Sequence, residues 1–128
     1  MNDRERRIQV LFGEGYLAAG MFTKACETFD VLGVKPDKDQ MITCGVKALA
    51  KCLFDEGKKA FAAAATPIPW ELLIQCGDRA LELNLLSVAQ QAFAEAGNGR
   101  GLINCGNKAL AAGALEFARL AYSAALDS

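Results

Sequence analysis

Four glycines, Gly13, Gly45, Gly77 and Gly106, each open the same spaced pattern, and this repetition constrains the fold more than any other feature of the chain. Three residues after each glycine stands Tyr16, Ala48, Ala80 or Ala109, followed directly by Leu17, Leu49, Leu81 or Leu110. Twelve residues after the glycine comes a small residue: Ala25, Gly57, Ala89 or Ala118. Four later comes a ring, Phe29, Phe61, Phe93 or Tyr122, and three beyond it Leu32, Ala64, Ala96 or Ala125. No copy needs an internal gap, and the steps between copies are 32, 32 and 29 residues. A fixed period in this range marks a stacked array of supersecondary units, each too small to bury its apolar face alone.

Composition fits such an array. With 128 residues the chain is expected to form one domain. Hydrophobic residues make up 52% but aromatics only 8%, so a core must be built from small side chains at close spacing. The net charge of −1 argues against nucleic acid or anionic lipid as a partner, since both call for clustered Lys and Arg. Histidine, the commonest general base and metal ligand, does not occur. Five cysteines without short disulfide-type spacing point to reduced thiols and a cytoplasmic protein. Residues 1–7 are charged and residues 8–12 are too few for the apolar core of a secretory leader. The apolar run 60–65 falls far below the roughly 20 residues of a membrane span.

Each copy reads as two helices joined by a tight turn, giving about eight helices and an all-α fold. In the second copy Asp37 and Gln40 have capping-box spacing, and Ile42, Val46, Leu49 and Leu53 follow at helical intervals. A break is expected near residues 54–56, then a second helix through Ala60, Phe61 and Ala64. Thr66-Pro67-Ile68-Pro69 is expected to end that helix, with Pro69 as the first residue of the next. Gly97-Asn98-Gly99 makes the corresponding break three residues more tightly, which accounts for the 29-residue step. The glycine and the small residue twelve later are expected to let the two helices of a hairpin approach. The ring is expected to fill space against the following hairpin.

These positions resemble the tetratricopeptide repeat, a helix-turn-helix unit usually 34 residues long. The family's glycine is matched by Gly13, Gly45, Gly77 and Gly106, and its first aromatic by Tyr16 alone. Ala25, Ala89 and Ala118 match its alanine; Phe29, Phe61, Phe93 and Tyr122 match its second aromatic. Ala64, Ala96 and Ala125 match its last alanine, Pro69 falls on its closing proline, and Pro36 lies one residue early. The residue before each glycine departs from the usual leucine, being Phe12, Cys44, Cys76 or Cys105. The resemblance implies a right-handed α-α superhelix of about four repeats, near residues 6–37, 38–69, 70–98 and 99–128, forming a single domain. It implies protein–protein interaction. The shortened period also fits a broader class of α-solenoids found in coat and transport complexes.

The remaining constellations have structural readings. Cys44, Cys76 and Cys105 occupy one repeat position. Metal ligands must converge within about 2.3 Å of the ion, whereas equivalent positions in stacked helices lie roughly 8–10 Å apart. The cysteines therefore read as small buried hydrophobes. No carboxylate is singled out as a general acid, and Gly97–Gly101 lacks the strand and the Gly-Lys-Ser/Thr ending of a phosphate loop. No catalytic residue, metal or cofactor is expected.

In tetratricopeptide arrays the first helix of each hairpin lines a groove. The matching positions supply Glu14, Val46, Gln75, Asp78, Arg100, Asn104 and Asn107 as candidate groove residues. The family's clamp for chaperone tails needs lysine, asparagine and arginine at positions that hold Val10, Glu14, Thr43, Glu71 and Gln75, or Ile42, Val46, Gln75, Arg100 and Asn104, so neither register makes it. The last helix leaves few polar positions, although a terminal repeat normally turns a polar face outward. Leu115, Phe117, Leu120, Tyr122 and Leu126 are therefore candidates for self-association. The expected function is a non-enzymatic interaction module that binds a peptide segment, a partner helix or another copy of itself. The alternative is a structural subunit or fragment of a larger α-solenoid complex.

Overall fold

In a computed structural model describing residues 1–128, the chain forms eight α-helices and no strand. They divide between two compact units, Met1–Ile68 and Pro69–Ser128. The first unit contains α1 (Asp3–Ala18), α2 (Phe22–Val31), α3 (Lys38–Ala50) and α4 (Phe54–Ala63). The second contains α5 (Trp70–Glu82), α6 (Leu86–Glu95), α7 (Gly99–Ala111) and α8 (Leu115–Leu126). Within the first unit α1 pairs with α2 and α3 with α4, while α3 lies against α1 and α4 against α2. Within the second unit α5 pairs with α6 and α7 with α8, and α7 packs on α6 and α5.

Three of the four hairpins, all but the third, begin their first helix at a side-chain cap. Asn2 Oδ1 accepts from Glu5 N at 2.8 Å at the start of α1. Asp37 and Gln40 form the expected capping box on α3, each side chain accepting from the other's backbone N–H. Asn98 Oδ1 accepts from Gly101 N at 3.0 Å on α7. Such caps satisfy N–H groups that have no partner within the helix.

The turn inside each hairpin is the same in all four copies. Gly20, Cys52, Asn84 and Gly113 take positive φ. The next residue's N–H then bonds back five residues: Met21 to Tyr16 O, Leu53 to Ala48 O, Leu85 to Ala80 O and Ala114 to Ala109 O. This is the Schellman closure that satisfies the last carbonyls of a helix. The turn of the second copy is therefore Lys51-Cys52-Leu53, earlier than the break expected near residues 54–56. The helix α4 likewise stops before its prolines. Ala65, at φ 51°, closes it, and Pro69 stands as N-cap with α5 starting at Trp70. After Gly97, by contrast, Asn98 is already the N-cap of α7, so the third connection is three residues shorter.

Inside each hairpin the ring of the second helix lies on the anchor glycine of the first. A Cβ added at Gly13 would stand 2.7 Å from Phe29, at Gly45 2.7 Å from Phe61, and at Gly77 2.6 Å from Phe93. Gly106 faces Tyr122 in the same way. The glycine thus makes room for the ring, rather than for the small residue twelve positions later as expected from the sequence. The small residue answers a different side chain: Gly57 is covered by Leu49. Phe93 also lies on Gly101, so in the third copy the ring reaches the following hairpin as well.

Glu56 joins the two hairpins of the first unit. The helix α2 has no side-chain cap of its own. Glu56, on α4, supplies one: Oε1 accepts from Thr23 N at 2.8 Å and Oε2 from Thr23 Oγ1 at 2.7 Å. Partial burial by itself would raise the Glu56 carboxyl, but the bonds from Thr23 and the nearby Lys59 ammonium outweigh it and hold the group below the usual glutamate range.

Gly45→Ala is expected to lower stability by about 1–3 kcal/mol in urea denaturation, because the ring of Phe61 must move. In a Phe61→Leu background the same change should cost about 1 kcal/mol less, which a double-mutant cycle measures. Glu56→Gln should cost about 1 kcal/mol at neutral pH by weakening the borrowed cap. With a native pKa below the unfolded one, the Glu56 contribution is complete above the ordinary glutamate range. It is lost as pH falls through the native value, so the variant should lose less stability on acidification than the parent.

Candidate functional site

The first helices carry the candidate groove residues at exposed positions. In the first unit Glu14 on α1 and Val46 on α3 are both exposed. Glu14 lines an open cleft of about 360 Å³ with Leu17, Ala18, Asp37, Asp39, Gln40 and Thr43. Three carboxylates and no base line this cleft, so its chemistry suits a basic or amide-rich segment rather than an anion.

In the second unit Gln75 and Asp78 on α5, and Arg100, Asn104 and Asn107 on α7, are also exposed. Asn107 is already engaged, because its Oδ1 accepts from the Tyr122 hydroxyl at 2.6 Å. That bond ties α7 to α8 and leaves the Asn107 amide N–H₂ for a ligand. Tyr122 therefore both covers Gly106 and fixes the candidate residue Asn107.

Along α8, Ala118 and Ala121 are buried, Phe117 and Tyr122 are half-buried, and Leu115, Leu120 and Leu126 are exposed. Glu116, Arg119 and Ser123, the few polar residues of the helix, share its exposed surface with the leucines, so that surface is mixed rather than uniformly apolar. Glu116 and Arg119 form a loose pair at 3.8 Å.

A second apolar surface lies on α1. Ile8, Leu11, Phe12, Gly15, Tyr16, Ala19 and Met21 line an open concavity of about 510 Å³. Phe12 and Tyr16 stand with ring centroids 6.5 Å apart. Reading Phe12 only as a departure from the usual leucine hid this surface. The available signal was size, since Phe12 and Tyr16 are rings where the other copies carry cysteine and alanine.

The repeated cysteines are core residues. Cys44, Cys52, Cys76 and Cys105 are buried, Cys26 is half-buried, and none forms a disulfide. Burial pushes the Cys44 and Cys105 thiols up to about 11, with the Glu56 carboxylate adding to the effect at Cys44. Such thiols are poor nucleophiles at neutral pH. No group of three or more cysteine, aspartate or glutamate side chains is placed to hold a metal ion, and no helix is long and apolar enough to cross a membrane.

Against known proteins, the chain matches no family model, no curated protein and no solved structure.

The buried thiols give a measurable consequence. In the folded protein only Cys26 should react with a thiol reagent at an appreciable rate, and all five should react in denaturant. Because the native pKa values of Cys44 and Cys105 are raised, their contribution to stability is complete below the unfolded value and declines as pH rises toward about 11. A Cys44→Ala/Cys105→Ala variant should show a shallower loss of urea stability at alkaline pH than the parent.

Proposed function

We propose that this chain is a non-enzymatic interaction module, a tetratricopeptide-like right-handed α-solenoid that binds protein segments. The observation that carries the reading is the exposure of three leucines, Leu115, Leu120 and Leu126, along the one helix α8. Large apolar side chains left exposed on the last helix of a repeat array, where a polar outer face is the rule, suit a surface that another protein covers. The identical turn and the glycine–ring contact in all four copies support the repeat assignment. They also mean that the repeated residues are spent on packing, so selectivity falls to surface positions where the copies differ.

Two surfaces divide the work in this reading. The polar first-helix positions, Gln75, Asp78, Arg100 and Asn104 in particular, offer hydrogen bonds to a peptide. The leucines of α8 offer an apolar seat for a partner helix or a second copy. Neither nucleic acid nor membrane is a partner in this reading. A cytoplasmic setting belongs to it as well, since five cysteines outside disulfides suit a reducing compartment. The second reading, a subunit of a larger solenoid assembly, is favoured by the additional apolar face on α1.

Peptide display against the folded chain tests the proposal. Selected peptides should lose about tenfold or more in affinity either with Asp78→Ala/Asn104→Ala or with Leu120→Asp, depending on the surface used. Asn104 is preferred to Asn107 for this purpose because Asn107 is bonded to Tyr122. If display yields no ligand and light scattering shows no self-association, the interaction-module reading fails.

A further inference from the structure

We propose that the open face of the first hairpin docks on the open face of the last hairpin of a second copy of this chain, joining copies head to tail. The inference rests on the interaction-module reading and names its partner.

Repeat register shows what covers each face. One residue before and three after the anchor glycine stand Cys44 and Ala48 in the second hairpin, and Cys105 and Ala109 in the fourth; all four are 0% exposed. Both hairpins follow another hairpin within their own unit. The first hairpin has Phe12 and Tyr16 at these positions, with Phe12 54% exposed and Ile8 and Leu11 beside it.

The opposite face shows the converse. Four and nine residues after the glycine, Leu17 and Phe22 of the first hairpin are 6% and 7% exposed, and they share a core cluster with Cys44 and Ala60 of the second hairpin. The corresponding Leu110 and Leu115 of the fourth hairpin are 48% and 67% exposed. The first hairpin thus leaves a leading face open and the fourth a trailing face, the two halves of a contact that the first unit makes internally. Ala125 stands where Leu32 fills the same core cluster, leaving room for a ring in the position of Cys44.

Charge agrees with this register. In the first unit Thr23, ten residues after its glycine, bonds Glu56, eleven after the next. At a head-to-tail joint those two positions are Glu116 and Lys24, which carry opposite charges. Arg119 and Glu27, each three residues further along, form a second opposite pair. A contact between two different faces is heterologous, so an open array keeps one free leading face and one free trailing face, at its two ends, until it closes into a ring.

Light scattering over a concentration series, with mixed variants, tests the joint. The parent's mass should rise with concentration above the 13.6 kDa of one chain. Phe12→Asp and Leu115→Asp should each remain monomeric. An equimolar mixture of the two retains one complementary pair of intact faces, so it should reach the mass of a dimer and go no further. Leu11→Asp with Leu110→Asp should repeat the result, and circular dichroism should show native helix content in every variant. Glu116→Lys should weaken association by about fivefold, and pairing it with Lys24→Glu should restore it. Overturning outcomes are a monomeric parent, a Leu115→Asp chain that still dimerises through its leading faces, a mixture that stays monomeric, or a charge exchange without effect. A monomeric parent that still binds displayed peptides would sink the head-to-tail joint and leave the interaction-module reading standing.

Discussion

An aromatic ring seated on a glycine is the contact on which the rest of the structure depends. It occurs once in every hairpin, as Phe29 on Gly13, Phe61 on Gly45, Phe93 on Gly77 and Tyr122 on Gly106. With aromatics at only 8% of the chain, these four rings supply much of the bulk between the paired helices. Without a Cβ on the facing helix, each ring can be buried at close helix approach, where dispersion contacts are dense. Small residues complete the fit: Ala25, Ala89 and Ala118 are almost wholly buried, as are Cys44, Cys76 and Cys105.

This packing explains where function can and cannot reside. Residues that repeat are held by the core, and the raised thiols of Cys44 and Cys105 follow from that burial rather than from chemistry at a site. Residues that vary lie outside: Glu14, Val46, Asp78 and Asn107 at one exposed first-helix position, and the apolar faces of α1 and α8. The first unit's acidic cleft and the amide-bearing surface of the second differ in chemistry.

Much of this was legible in the sequence because it depends on spacing. The period located all four helix pairs, Asp37 and Gln40 announced their capping box, and Gly97-Asn98-Gly99 announced the short connection. The failures have physical causes. Cys52 and Ala65 close their helices at positive φ, a conformation that their residue types do not advertise. The borrowed cap between Glu56 and Thr23 spans 33 residues, beyond the reach of local pattern. The pairing of glycine with ring rather than with the small residue depends on how the helices are rotated about their axes, which spacing alone leaves open. The apolar face of α1 went unread because exposure of Phe12 depends on whether a hairpin precedes it.

Proton chemical shifts of the anchor glycines test the central contact most directly. A proton held against an aromatic ring is displaced in chemical shift by the ring current. The α-protons of Gly13, Gly45, Gly77 and Gly106 should therefore resonate outside the range of ordinary helical glycines, while those of Gly15, which has no neighbour within 4 Å of its Cβ position, should not. Replacing Phe61 by leucine should return Gly45 alone to the ordinary range. Ordinary shifts at all four anchor glycines would contradict the account.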